Sequence, residues 1–256
     1  MHQLTASFDR ILLGLMVVLL TFSTTPASRA QGGTGCGAAV TGRYGGETGG
    51  VALLNAATLI IGRGSVLEII DLSNANAPAR FNPPRVVGVP APVEKISLSQ
   101  GSTRVFALLE DGNVAIATVA YSPAVQFTEE VRIIYAGDAV DILADGARVY
   151  IVRMEEEEHH NSIDSWLDVR EIDASGTVTL RDWTSPFLNN YGFDRVVRIG
   201  NTLWLGMHEY DSSIFGIESY DISDPSNLTR ISSSLNNAPL GTRTRVSAMA
   251  ASGNRL

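Results

Sequence analysis

Phe215-Gly-Ile-Glu-Ser-Tyr-Asp-Ile-Ser-Asp-Pro225 is the stretch of sequence that decides the fold. Its apolar residues are spaced as in a buried strand, and the Asp, Ser and Pro that follow are typical of a turn. With Asp221 as an anchor, the pattern recurs around Asp71, Ala120 and Asp173, so the anchors are 49, 53 and 48 residues apart. The chain therefore contains a repeat of about fifty residues.

Two further apolar segments precede each anchor, and a weaker one follows it. Gly146 and Gly200 stand between the first two segments of their units, where a tight hairpin turn needs a positive φ. The first segments are 51–54, 93–98, 140–143, 196–199 and 246–249, the second are 59–61, 105–107, 149–151 and 203–205, and the fourth are 85–89, 131–135, 177–183 and 228–232. Each unit therefore contains four predicted strands.

Four short strands per unit at this period are typical of propeller blades. A β-sandwich also has regularly spaced strands, but it does not require three separate segments to recur at one period. We therefore predict an all-β fold, a β-propeller of four-stranded blades over residues 51–256, with about four blades visible. The apolar segment at 246–249 would start a fifth unit, which predicts that the chain is a fragment of a longer propeller. The alternative is that this segment completes the first blade and closes a four-bladed ring.

The repeat also resembles a known family. Ile217-Glu-Ser-Tyr-Asp-Ile-Ser-Asp-Pro-Ser-Asn-Leu228 resembles the LVIVD repeat, in which an apolar strand is followed by Asp, an apolar residue, Ser and Asp-Pro-x-x-Pro. The segment 67–78 is similar and keeps the late proline, whereas Ala120 replaces the Asp in the second unit and Glu171-Ile-Asp-Ala-Ser-Gly176 lacks the Asp-Pro. The resemblance implies an exported propeller-like domain of largely undefined activity, with no catalytic residues to carry over.

The N-terminus has the features of a signal peptide. Arg10 precedes an apolar run over residues 11–22, which is too short to favour a transmembrane helix, and small residues stand at the cleavage positions before Gln31. We therefore assign residues 1–30 to a signal peptide, and the Gly- and Thr-rich residues 31–50 to a flexible lead-in. A retained membrane anchor is the alternative.

Cys36 is the single cysteine of the chain. An exported domain without a disulfide must be held together by its core. Small residues precede Cys36, which would allow a lipoprotein anchored through this cysteine. The apolar run ends more than ten residues earlier, so this alternative is weaker than cleavage before Gln31.

The composition is acidic. The net charge is −8, and Lys95 is the sole lysine beside many arginines. This balance argues against nucleic acids and anionic membranes as partners, because both require a basic patch. The lysine-poor, arginine-rich usage suggests a GC-rich bacterial source.

Glu155-Glu-Glu-Glu-His-His160 is the candidate metal site. Carboxylates and imidazoles together bind transition metals or zinc, and the predicted ligands are Glu155, Glu157, His159 and His160. The stretch is predicted to be a loop between the second and third strands of unit three. Consecutive residues do not all converge on one ion, so a solvated charged loop is the interpretation that we favour.

The oxygen-rich turns pose a similar question about calcium. Asp221, Ser223, Asp224 and Asn227 follow one strand, and Asp138, Asp141 and Asp145 lie close together in the third unit. Neither group has the ligand alternation and terminal glutamate of a calcium loop. Backbone capping by the aspartates is therefore preferred, and Asp145-Gly146 is assigned to a hairpin turn.

His208 follows Trp204 and stands among carboxylates, so it is a candidate general base. No nucleophile motif accompanies it, and we expect an exposed polar position. Trp166, Trp183 and Trp204 stand at inconsistent offsets from their anchors, which favours packing over a carbohydrate platform.

Together these features predict a secreted, periplasmic or cell-surface binding or scaffolding module for a protein or glycan, with no cofactor required by the sequence. The alternatives are an exported propeller enzyme, such as a hydrolase, lyase or quinone-dependent dehydrogenase, and a structural cell-surface repeat. An enzyme would bring ionisable residues from several blades together at the channel mouth. The polar residues instead cluster in one unit, and that favours binding.

We expect the exported protein to begin at Gln31. N-terminal sequencing and intact mass measurement of the secreted protein check this directly. A mass that includes residues 1–30, or a lipid on Cys36, would contradict the signal-peptide assignment.

Overall fold

The structure is a computed structural model that describes residues 49–74, 77–99, 102–121, 124–128, 131–157, 162–186, 190–209 and 214–237, together with Val246 and Met249. The predicted signal peptide, nearly all of the lead-in and most of the predicted fifth unit lie outside these residues. The described residues form seventeen strands and no helix. None of them therefore provides a helix that could span a bilayer.

The strands form four antiparallel sheets, numbered here as blades 1 to 4 in chain order. Consecutive strands of a blade are hydrogen-bonded neighbours, as expected for linked hairpins, except that β8 and β9 of blade 2 both pair with β7. Blade 1 contains β1 (Gly50–Asn55), β2 (Thr58–Gly62), β3 (Val66–Asp71) and β4 (Ala79–Gly88); blade 2 contains β5 (Val93–Leu98), β6 (Arg104–Leu109), β7 (Val114–Ala120), β8 (Gln126–Phe127) and β9 (Arg132–Ile134). Blade 3 contains β10 (Ala139–Asp145), β11 (Arg148–Glu157), β12 (Ser162–Ile172) and β13 (Val178–Thr184); blade 4 contains β14 (Tyr191–Ile199), β15 (Thr202–Glu209), β16 (Ile214–Asp221) and β17 (Thr229–Asn237).

The blades stack face to face through apolar side chains. In β6, Val105 and Ala107 belong to the core between blades 1 and 2, whereas the alternate residues Phe106 and Leu108 belong to the core between blades 2 and 3. A third core fills the space between blades 3 and 4. The first strands β1, β5, β10 and β14 contact one another in chain order and are therefore innermost. This arrangement is a β-propeller, and it confirms the predicted fold class.

The acid after the third strand forms the turn predicted for it. Asp71 Oδ1 accepts a hydrogen bond of 2.8 Å from the Ser73 amide, and Asp221 Oδ1 accepts one of the same length from the Ser223 amide. These backbone bonds lower the pKa of both carboxyl groups. Asp173 caps its own turn through a later amide. Capping therefore accounts for the anchor aspartates.

The fourth strand of every blade is interrupted where it pairs with the end of the third strand. In blades 3 and 4 a single extra residue, Arg181 or Ile231, breaks the register. In blade 1 the extra residues are 81–84, and in blade 2 residues 128–131 separate β8 from β9. In blades 1 and 2 pairing with the third strand therefore begins before the segments predicted at 85–89 and 131–135, stops, and then resumes at Arg85 and Arg132.

Blade 4 offers a test of the packing. Leu205 is fully buried between blades 3 and 4, whereas Leu235 on the outermost strand is 42 % exposed. Leu205→Ala should lower the free energy of unfolding by about 2–5 kcal/mol, because it leaves a cavity in the core. The control Leu235→Ala should change it by less than about 0.5 kcal/mol. Urea unfolding followed by fluorescence measures both, and equal effects would contradict the face-to-face packing.

Candidate functional site

The disc has two faces, defined by the connections that each carries. The first strands run in the same direction, so the turns between second and third strands lie at one end of the blades together with the links between blades. We call this end the upper face. The lower face carries the hairpin turns between first and second strands and the aspartate turns after the third strands.

The predicted metal-binding stretch lies at the upper face. Glu155 and Glu157 belong to β11, so the predicted loop is shorter than expected: the β11–β12 ladder continues past the pairing of Glu155 with Asp164. Glu155 is exposed. His159 and His160 lie outside the described residues, and the metal site therefore stays a prediction.

His208 is buried, and the exposed position predicted for it is wrong. It lies in β15, where its Nδ1 is 2.9 Å from Asp194 Oδ2, and both side chains are 5 % exposed. The same carboxylate oxygen accepts a hydrogen bond of 3.1 Å from the Val246 amide. The pair therefore joins the first two strands of blade 4 to the start of the predicted fifth unit, and this role explains both side chains without a substrate.

A second buried acid links three blades at their innermost strands. Asp141, on β10, accepts a hydrogen bond from Lys95 of β5 and one of 2.9 Å from the Val196 amide of β14. Its side chain is 2 % exposed, so the sole lysine neutralises a carboxylate that would otherwise be costly to bury. The sequence predicted that the polar residues cluster in one unit. The structure corrects this, because ionisable side chains of several blades meet near the axis, where they bind one another and the backbone.

Buried glutamates recur three residues before the anchor in blades 1 and 4. Glu68 accepts hydrogen bonds from Arg63, at 3.3 Å, and from Arg80. Burial would raise the pKa of Glu68, but the two guanidinium groups outweigh it and hold the pKa below its ordinary value of 4.5. Glu218 accepts a bond of 2.7 Å from the Tyr220 hydroxyl; burial and this bond raise the pKa of the phenol. These buried acids are therefore each held by a donor.

The acids considered for calcium in the third unit serve separate partners. Asp138 accepts bonds of 2.6 and 2.9 Å from Arg153, which raise the pKa of that guanidinium, and Asp145 pairs with Arg198. Among the described residues, no three His, Cys, Asp or Glu side chains are grouped so that they could hold a metal ion.

The three tryptophans occupy different environments. Trp183, on the outermost strand of blade 3, is 57 % exposed, so the packing predicted for it is wrong. Trp166 lies 5.4 Å from the Arg153 guanidinium, measured to the ring centroid, and Trp204 Nε1 is buried with no hydrogen-bond partner among the described residues. They do not form one aromatic platform.

Four arginines line the interface between blades 2 and 3, and we call them the arginine seam. Within blade 3 Arg170 binds the Asp168 carboxylate at 2.7 Å, and Arg153 binds Asp138 nearer the upper face. At its lower end Arg104 donates to two main-chain carbonyls, of Ile172 at 2.6 Å and of Asp173. The seam consists of Arg104, Arg132, Arg153 and Arg170.

A cleft of about 210 Å³ opens at the lower end of the seam. Ile116 and Ile172 supply buried apolar surface to the cleft. Guanidinium and hydroxyl groups from both blades supply its polar lining: Thr103, Arg104, Thr118, Thr128, Arg132 and Ser175. Residues 174–176 of the blade 3 turn complete it. This turn links β12 to β13 by five residues, against seven in blades 1 and 4.

Gly176 allows Arg132 to lie across the cleft. A Cβ at this position would be 2.0 Å from Arg132 Nη1, and the glycine has a φ of 83°. Arg85 occupies a comparable place in blade 1, since each arginine is the first residue that pairs with the third strand again after the interruption of the fourth strand. Arg85 donates to the Val125 carbonyl of blade 2 at 2.6 Å. Arginines after these bulges therefore reach toward the next blade.

The buried glutamates of blades 1 and 4 could have been found from the sequence. In units one and four a Glu stands three residues before the anchor and an Arg nine after it, as Glu68 with Arg80 and Glu218 with Arg230. An apolar strand interrupted by an acid at the same repeat position indicates a buried ion pair. No short sequence pattern indicates the cleft, because its lining residues come from two blades and are distant in sequence.

The chain was compared with known proteins. No family model and no curated protein matches it, so the resemblance to the LVIVD repeat stays a prediction. Hydrazine synthase from Kuenenia stuttgartiensis is similar in structure, with a TM-score of 0.55 and 13% identity over 78% of this chain and 53% of that chain. The chain thus spans about half the length of that protein, and the likeness supports the fold alone.

Two further solved structures are more distant. Sqt1 from Chaetomium thermophilum has a TM-score of 0.46 and 14% identity, over 69% of this chain and 44% of that chain. The β-propeller domain of Cps50 (Swd1) from Myceliophteria thermophila has a TM-score of 0.39 and 10% identity, over 77% and 75%. Neither carries an argument about activity.

Glu68 makes the stability dependent on pH. Its pKa is lowered in the folded protein, so its contribution is present above the unfolded value and is lost as the pH falls through the lowered one. Glu68→Gln should destabilise the protein by about 1–3 kcal/mol at pH 7 and flatten the fall in Tm below pH 4.5. Thermal unfolding between pH 7 and pH 3 measures this. The exposed Glu94→Gln is the control, and an equal acid slope in both variants would contradict the ion pair.

Proposed function

We propose that the chain is an exported propeller domain that binds a glycan. The observation that carries this proposal is the cleft at the lower end of the arginine seam, to which two blades contribute donors and hydroxyl groups. Its volume of about 210 Å³ lies below the roughly 300–1,000 Å³ of pockets for drug-sized ligands. That size suits a single sugar residue better than a segment of a folded protein.

The lining suits a sugar as well. Hydroxyl groups of Thr103, Thr118 and Ser175 both donate and accept hydrogen bonds, as the hydroxyl groups of a sugar do. Ile116 and Ile172 offer apolar surface to the C–H groups of the ring. The signal-peptide features of residues 1–30 and the acidic net charge of −8 support export and a partner other than nucleic acid.

The enzyme alternative has weaker support. It predicted ionisable groups from several blades at the channel mouth, whereas the pairs Lys95 with Asp141 and His208 with Asp194 contain acids that are buried between strands. Both acids also accept backbone amides of a following unit. These contacts join strands, and they favour binding over catalysis.

A glycan array with matched variants tests the proposal. Thr103→Trp places an indole in the cleft from an exposed position, whereas Thr179→Trp adds the same side chain on the exposed strand β13. We expect the unaltered protein and Thr179→Trp to bind the same glycans and Thr103→Trp to lose them. Binding that survives Thr103→Trp, or a protein that binds no glycan on the array, would overturn the proposal.

A further inference from the structure

We infer that the ligand is an extended, β-linked oligosaccharide of glucose-type sugars, with one sugar residue in the cleft and a later one stacked on Trp183. This inference rests on the proposed glycan-binding function and adds the length of the ligand and a second contact. It is carried by a partly exposed apolar stripe on the outermost strand of blade 3. The stripe consists of Val178, Leu180 and Trp183, and we call it the β13 stripe.

The β13 stripe begins at the wall of the cleft. Val178 is the cross-strand partner of Ile172, which lines the cleft. Val178 also packs against the core between blades 2 and 3, to which Ile172 belongs. Side chains two residues apart on a strand share a face, so Leu180 continues the stripe on the side of Val178. The stripe is therefore continuous with the site that is proposed to hold a sugar.

The bulge at Arg181 brings Trp183 onto the face of Leu180. Residues three apart in a regular strand point to opposite faces. Here Leu180 pairs with Arg170, and Trp183 pairs with Asp168, because Arg181 is an extra residue between them. Since Arg170 and Asp168 are two residues apart on β12, their partners lie on one face of blade 3, the face toward blade 2.

The described part of blade 2 leaves the outer end of this face open. Its outermost segments β8 and β9 contain two and three residues, against seven in β13. Leu180 is 45 % exposed and Trp183 is 57 % exposed. The β12 partners of the stripe run from Ile172 to Asp168, so the stripe is about 13 Å long at about 3.3 Å per residue. That length exceeds one sugar residue.

An exposed indole beside polar groups suits a sugar chain. Trp offers a large, rigid apolar surface, and a glucose-type ring presents C–H groups on its flat face and hydroxyl groups at its edge. Asp168 and Arg170, bonded to each other at 2.7 Å, are cross-strand neighbours of the stripe. A β-linked chain of such rings is extended, as the stripe is. Two exposed apolar side chains are too few for a stable protein interface, which uses about 20–30 residues a side.

Calorimetric titration of the protein with methyl β-glucoside, cellobiose and cellotetraose tests the length of the ligand. We expect cellotetraose to bind at least about tenfold more tightly than methyl β-glucoside, because only the longer sugar reaches from the cleft to Trp183. Equal affinity for all three would overturn the inference and leave glycan binding intact. So would failure of all three when the array identifies another glycan. Failure of all three with a silent array would overturn the proposed function as well.

Matched variants test the location of the second contact. Trp183→Ala should weaken cellotetraose binding about tenfold and leave methyl β-glucoside binding unchanged, because a single sugar occupies the cleft alone. Trp183→Phe keeps an aromatic ring and should recover part of the loss. Leu235→Ala removes a side chain that is 42 % exposed on the outermost strand of blade 4, and it should leave both affinities unchanged.

Thermal unfolding shows whether each variant is folded. A folded Trp183→Ala protein that keeps its full affinity for cellotetraose, or that loses both sugars equally, would overturn the contact at Trp183. Equal losses of cellotetraose binding in Trp183→Ala and Leu235→Ala would overturn it too.

Discussion

Each sheet of this protein must be covered on both faces, and the rest of the structure depends on that requirement. Val105 and Ala107 face one neighbour while Phe106 and Leu108 face the other, so a central blade has no polar side. A single four-stranded sheet with two apolar faces would expose both to water. Stacking blades around an axis satisfies them, and no disulfide takes part, because Cys36 is the single cysteine.

Tight stacking leaves little water between blades, so every charge placed there must bring its own partner. Asp141 is neutralised by Lys95, Glu68 by Arg63 and Arg80. Such pairs contribute little net stability compared with apolar packing, but the loss of one partner is expensive. The lower end of the arginine seam departs from this pattern, since Arg104 meets carbonyls there, and that departure coincides with the cleft.

The sequence predicted the architecture because the repeat is encoded locally. Alternating apolar residues, glycine at hairpin turns and aspartate after the third strand each act within a few residues, and the structure confirms the strands that they mark. What it did not predict depends on contacts between distant segments. His208 looked like an exposed loop residue because its partner Asp194 lies on another strand. Trp183 looked like a packing residue because an outermost strand cannot be told from an inner one by composition. The cleft requires the meeting of two blades, and no short pattern reports that.

The interruption in every fourth strand is a position where the repeat can gain or lose residues during evolution. It holds one extra residue in blades 3 and 4 and four in blade 1, while the pairing on both sides is kept. The outer rim is thus a place where residues can be gained or lost without shifting the register of the inner strands. Arg85 and Arg132 directly follow the interruptions of their fourth strands. Lengthening a bulge alters what its arginine reaches on the next blade, so new surface chemistry can arise at the rim while the stacked interior stays as it is.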